Sequence, residues 1–231
     1  NGTIHGFARA LAIAALVVST APAALAAAPA GPEPMSTGTP TLAFPGAQGW
    51  AAPTPGGRGG KILPVTTLAA DGPGSFAQAL ATPGPRIVVF EVGGVIDLGM
   101  KELRITEPFL TIAGQTAPQP GITFIKGGLT IATHDVVVRH IRMRPGDGGM
   151  PKFSGDIDAI TTVRGAKDVI VDHCSLTWAT DENLSASSTR FFGEDEKAWM
   201  DAASRPITYS NNIVAAGLAN AAHKKGGHSE G

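Results

Sequence analysis

Ile87-Val-Val-Phe-Glu-Val92, Leu110-Thr-Ile-Ala113, Val136-Val-Val-Arg-His-Ile141 and Val169-Ile-Val-Asp172 decide how this chain is read. Each run is short, rich in Val, Ile, Thr or Phe, and bounded by Gly, Pro, Asp or Asn, the composition of a strand between turns. Starts near residues 88, 110, 136 and 169 recur at intervals of 22, 26 and 33. Similar strands returning every roughly 20 to 40 residues, with loops of variable length, are the pattern of a solenoid. Ile122-Thr-Phe-Ile125, Leu129-Thr-Ile-Ala132 and Ile207-Thr-Tyr-Ser210 add further short β runs. A parallel β-helix needs only such strands and turns. A sandwich would space hairpins evenly through Asn-Gly turns, which are scarce here. No stripe of 3.6-residue period is long enough to make the runs helical. The best helix candidate is Ser75 to Ala81, with Ser75 as N-cap after Gly-Pro-Gly. Segments 147–157 and 189–206 are expected to bulge as loops, where function usually sits.

Working outward, 231 residues suffice for one domain with a sizeable core. A net charge of −1 gives no electrostatic case for nucleic acid or an anionic membrane surface. Thirty glycines and 18 prolines suit a turn-rich fold. The single cysteine, Cys174, excludes an intrachain disulfide and reads as a small buried residue. At the N-terminus Arg9 precedes the apolar run Ala10 to Val18, and small residues end at Ala24-Leu25-Ala26. That is the pattern of a secretory signal peptide, and the run is too short and Ala-rich for a comfortable membrane span. The expected organisation is a signal peptide over 1–26, a flexible leader over 27–41 and the β-helix domain over 42–231. The expected location is extracellular.

The motifs, taken in order, are more specific than the strands. They are Phe44-Pro-Gly-Ala-Gln-Gly49, Gly56-Gly-Arg-Gly-Gly60, Asp71-Gly-Pro-Gly-Ser-Phe76 and Ile112-Ala-Gly-Gln-Thr-Ala-Pro118. Then follow Val138-Arg-His-Ile-Arg-Met-Arg-Pro-Gly-Asp147, Asp172-His-Cys-Ser-Leu-Thr-Trp178 and Thr180-Asp-Glu182. In this order, from about residue 44 to the last, the chain resembles the front part of the pectate lyase family. The resemblance implies a right-handed parallel β-helix that cleaves polygalacturonate (pectate) by β-elimination with Ca²⁺. A monomer is the default for that architecture.

β-Elimination removes a proton α to a uronate carboxylate, and a bound divalent ion stabilises the charge that develops there. Calcium wants several hard oxygen ligands at loosely defined angles. Asp156-Ile-Asp158 precedes a strand expected over Ala159 to Val163, and residues i and i+2 share a face. Asp181 and Glu182 follow the strand of the next coil and are expected about 5 Å above that pair. The resemblance implies metal ligands at Asp156, Asp158 and Asp181, and at a second acid four residues beyond Asp181. Here that position is Ser185, which has no carboxylate. Glu182 is the substitute, although neighbouring strand residues point to opposite faces.

In the tail, His223-Lys-Lys-Gly226 resembles the family's substrate-binding segment, which makes Lys225 the partner of a uronate carboxylate. The resemblance also implies an arginine base, expected beyond Gly231; no catalytic residue is assigned within the chain, and a piece without that base is expected to be inactive or nearly so. Asp172-His173 reads as structural. Arg142 and Arg144 share a face and are expected in salt bridges. Asn183-Leu-Ser185 matches a glycosylation sequon. Two alternatives stay open: a metal-independent β-helix glycoside hydrolase using the same acids, and a non-catalytic polysaccharide-binding β-helix.

Overall fold

The computed structural model describes residues 41–152, 154–163, 165–188 and 193–226. Residues 1–40, which hold the expected signal peptide and most of the expected leader, lie outside the described residues. In chain order the elements are β1 (Lys61–Val65), α1 (Phe76–Ala81), β2 (Arg86–Phe90), β3 (Gly94–Asp97), β4 (Leu103–Ile105) and β5 (Leu110–Ala113). Next come β6 (Ile122–Ile125), β7 (Leu129–Ile131), β8 (His134–Arg139), β9 (Arg142–Arg144) and β10 (Ile160–Thr162). The rest are β11 (Lys167–Asp172), β12 (Ser175–Thr177), β13 (Leu184–Ala186), α2 (Glu196–Asp201), β14 (Ile207–Ser210) and β15 (Ile213–Ala215).

These strands form three parallel sheets. Sheet A runs β1-β2-β5-β8-β11-β14, sheet B runs β15-β12-β9-β6-β3, and sheet C runs β13-β10-β7-β4. The chain therefore winds A to B to C and back, one coil after another. This is the right-handed parallel β-helix expected from the recurring strands.

Register explains why apolar residues recur at those positions. Val88 pairs with Ile112, Ile112 with Val138, Val138 with Val171, and these four are fully buried. In sheet B the inward column is Ile96, Phe124, Met143 and Leu176. Each fully buried Val, Leu, Ile or Phe contributes roughly 1.5–3 kcal/mol from apolar surface removed from water. Cys174 joins this core, and burial pushes its thiol up to about 12, so it is inert at neutral pH.

The first coil is closed by α1. Ser75 caps it, its hydroxyl accepting from the Gln78 backbone N–H at 3.2 Å. Phe76 then packs on Phe124 and Phe90, with ring centroids 4.6 and 5.8 Å away. Arg86 is fully buried beside it, and its guanidinium donates to the carbonyls of Ala79, Leu80, Gly84, Glu107 and Pro108. One charged group thus satisfies the end of α1 and the next coil's turn together.

Two expectations change. The 189–206 segment contains a short helix, α2, capped by Asp195, whose carboxylate accepts from the Ala198 N–H at 2.8 Å. Arg142 and Arg144 make hydrogen bonds to neighbouring coils in place of the expected salt bridges. Arg142 donates to Thr123 Oγ1 and the Pro120 carbonyl, and Arg144 to Ser175.

Candidate functional site

The corner between sheets B and C carries the acids. Asp156 and Asp158 lie in the connection from β9 to β10, and Asp181 and Glu182 in the connection from β12 to β13. Pairing of β10 with β13 holds the two connections one above the other. The Ala159 N–H donates to the Glu182 carbonyl at 3.0 Å, and the Ile157 N–H to Thr180 Oγ1 at 2.8 Å. Buried Asn183 fixes the upper turn: its Oδ1 accepts from the Ala179 N–H at 3.0 Å and its Nδ2 donates to the Ala215 carbonyl at 3.3 Å. An asparagine so enclosed is no glycan acceptor, so the sequon is structural.

Carboxylate oxygens of Asp158, Asp181 and Glu182 lie within 4.8 Å of one another, and Asp156, Asp181 and His223 form a second set of the same span. Asp181 belongs to both. Glu182 faces Asp158 because neither residue is inside one of the named strands; the alternation rule that separates Asp181 from Glu182 applies to continuous extended backbone, and the chain bends at Asp181 just ahead of β13. Ser185 lies inside β13, where its hydroxyl bonds Thr161 Oγ1 at 2.7 Å and its carbonyl accepts from Tyr209.

The tail folds back onto this corner. Gly155 forms a parallel bridge with His223, and the Lys224 N–H donates to the Gly155 carbonyl at 2.8 Å. His223 is fully buried, with Nε2 3.4 Å from both Asp156 and Asp181. The ammonium that reaches the cluster is that of Lys224, which contacts the Asp156 carboxylate. Lys225 is exposed beside it, its backbone N–H donating to His223 Nδ1 at 3.1 Å. His223 and Lys224 were not singled out as site residues from the sequence. The His-Lys-Lys-Gly segment was the available signal, but the backbone turn decides which lysine points inward.

Electrostatics divide the acids. Burial, with Glu182 and Asp181 beside it, pushes Asp158 up to about 8. Asp181 is raised by burial and by its contacts with Asp156 and Glu182. Asp156 goes the other way: burial opposes it, but Lys224, Asp181 and His223 hold its carboxyl below the ordinary value. Oxygen donors crowded so closely that one is driven toward its protonated form are the donor set a hard divalent cation relieves. Asp158, Asp181 and Glu182 fit that role, whereas Asp156 already has Lys224 and His223 as partners.

Fold and corner together define a parallel β-helix with an acidic cluster at one corner, and the comparisons bear on the fold and the relatives. The chain is 40% identical over 181 residues to a protein named "Probable pectate lyase C" in Emericella nidulans, spanning 78% of this chain and 38% of that one. A protein of the same name in Aspergillus flavus is 39% identical over 178 residues, spanning 77% and 37%. The fold also matches the crystal structure of jun a 1, the major allergen from cedar pollen, with a TM-score of 0.53 and 21% identity over 72% of this chain and 57% of that one. No family model matches. The chain is a homologue of the pectate lyases, and it spans less than two fifths of the length of these curated relatives.

Proposed function

We propose that the protein carrying this chain is a secreted polysaccharide lyase that cleaves polygalacturonate by calcium-assisted β-elimination. The observation that carries this reading is the stacking of Asp158 beneath Asp181 and Glu182, with carboxylate oxygens within 4.8 Å. Secretion rests on the signal-peptide pattern of residues 1–26, ahead of a leader over 27–41 and the β-helix domain over 42–231.

Asp158, Asp181 and Glu182 would hold Ca²⁺, with Asp156 at the rim. The ion would supply positive charge against the substrate carboxylate, acidifying the adjacent C–H. Lys224 keeps Asp156 ionised and positions it toward the cleft. Lys225, exposed at the same turn, is placed to pair with a neighbouring uronate as a point charge. Buried His223 joins the two coils by facing Asp156 and Asp181.

The test follows absorbance of the unsaturated product from polygalacturonate with calcium and with chelator. Product that forms with calcium and vanishes with chelator is expected. A second reading draws on the split between Asp158, pushed up to about 8, and Asp156, held below the ordinary value by Lys224, since carboxyls split this way can serve as acid and base in glycoside hydrolysis. Cleavage that persists in chelator and yields no unsaturated product would select it. Binding without cleavage would select a carbohydrate-binding role.

A further inference from the structure

The corner between sheets A and B holds a second concavity that the acidic site does not use. One residue beyond the register partners Ala113, Arg139, Asp172 and Ser210 stand Gly114, His140, His173 and Asn211, stacked along the solenoid. The imidazoles of His140 and His173 lie 4.9 Å apart at 24°. At Gly114 the column has no side chain. A Cβ there would sit 2.5 Å from the Arg139 carbonyl oxygen and 2.6 Å from that of His140, so only glycine fits. The gap opens a groove of about 270 Å³, room for a sugar unit.

Its lining is polar: Gln115, Gln119, His140, Arg142, His173 and Ser175. Arg142 donates to Thr123 Oγ1 at 3.2 Å and to the Pro120 carbonyl at 2.7 Å, which leaves other guanidinium N–H groups for a ligand. It rests over Gly121, where a Cβ would come within 3.0 Å of Nη2. No carboxylate lines the groove. Asp172, which bonds the lining residue His173, is buried and accepts from Arg139, His173, Ser210 and Asn211. The groove is therefore cationic, although the whole chain carries a net charge of −1.

We propose that this groove is a second saccharide site, distinct from the acidic corner, which holds a carboxylate-bearing sugar through Arg142 while the amides, imidazoles and Ser175 meet its hydroxyls. The choice of an acidic sugar rests on the lyase reading above; the groove's charge and lining do not. A site of this kind would hold the protein to its polymer without taking part in cleavage.

The experiment titrates a galacturonate oligosaccharide into the protein in chelator, where the acidic corner has no calcium to bridge it to uronates, and reads binding by NMR shifts and calorimetry. Binding is expected, weakened at least about tenfold by Arg142→Gln and about fivefold by Gln119→Glu, which alters only an exposed side chain. Neither variant should change kcat for calcium-dependent product formation. Three results would overturn the proposal: no binding in chelator, equal binding by a neutral galactose oligosaccharide, or inorganic sulfate binding as tightly as the oligosaccharide. If Arg142→Gln does not fold, Gln119→Glu decides alone. Failure of the lyase reading would appear separately, as absence of unsaturated product with calcium.

Discussion

Asp172, buried, and Asp158, half-buried, are carboxylates on neighbouring corners of one solenoid, and they have opposite surroundings. Burial alone would raise Asp172, but Asn211, His173, Ser210 and Arg139 all donate to it and hold it well below the usual carboxylate range. Asp158 receives the Glu182 backbone N–H at 3.0 Å, faces two further acids and is pushed up to about 8. The first corner is complete within the protein. The second is not, and a group left electrostatically unsatisfied in an otherwise consistent fold marks the place where a ligand is expected.

The comparison can be broken by exchanging charge for shape. The largest expected effect is on activity: Asp158→Asn should lower calcium-dependent product formation by about a thousandfold or more, measured by absorbance of unsaturated product. The same substitution should leave the thermal midpoint in chelator unchanged or higher, because it removes repulsion. Asp172→Asn should do the reverse. It breaks a buried ion pair with Arg139 and should lower stability by about 3 kcal/mol in urea unfolding, with KM for the polymer unchanged in whatever folds.

A smaller effect concerns pH. Because the folded Asp158 takes up a proton that the unfolded chain has released, the native state binds more protons between the unfolded value near pH 4 and about 8. Calcium-free stability should therefore fall as pH rises through that window, and Asp158→Asn should flatten the slope. Asp172 has the opposite sign: its contribution is present above about pH 4 and is lost only on strong acidification. The smallest effect lies away from both corners. Lys197→Ala removes an exposed pair with Asp201 on α2 and should not move the unfolding midpoint measurably.

From β2 onward sheet A was legible in the sequence because its strands are β-branched, as in Val136-Val-Val138 and Val169-Ile-Val171, whereas β1, with Pro64 inside it, was not read. Most strands of sheets B and C were not, since β4, β9, β12 and β13 have three residues each, too few for alternation to register. α2 went unread although Asp195 ahead of Glu-Lys-Ala-Trp is a capping signal. At the site, the spacing of Asp156, Asp158, Asp181 and Glu182 was readable one coil apart. The inward turn of His223 and Lys224 was not, because it depends on the tail pairing with Gly155, a contact across 68 residues.

The most direct measurement is a calorimetric calcium titration near pH 6.5 in two buffers of different ionisation enthalpy, which counts the protons released on binding. The account predicts saturable binding with about one proton released, falling toward none above pH 8 and lost with the binding in Asp158→Asn. Calcium that fails to bind, or binds equally well to Asp158→Asn with no proton release, would contradict it.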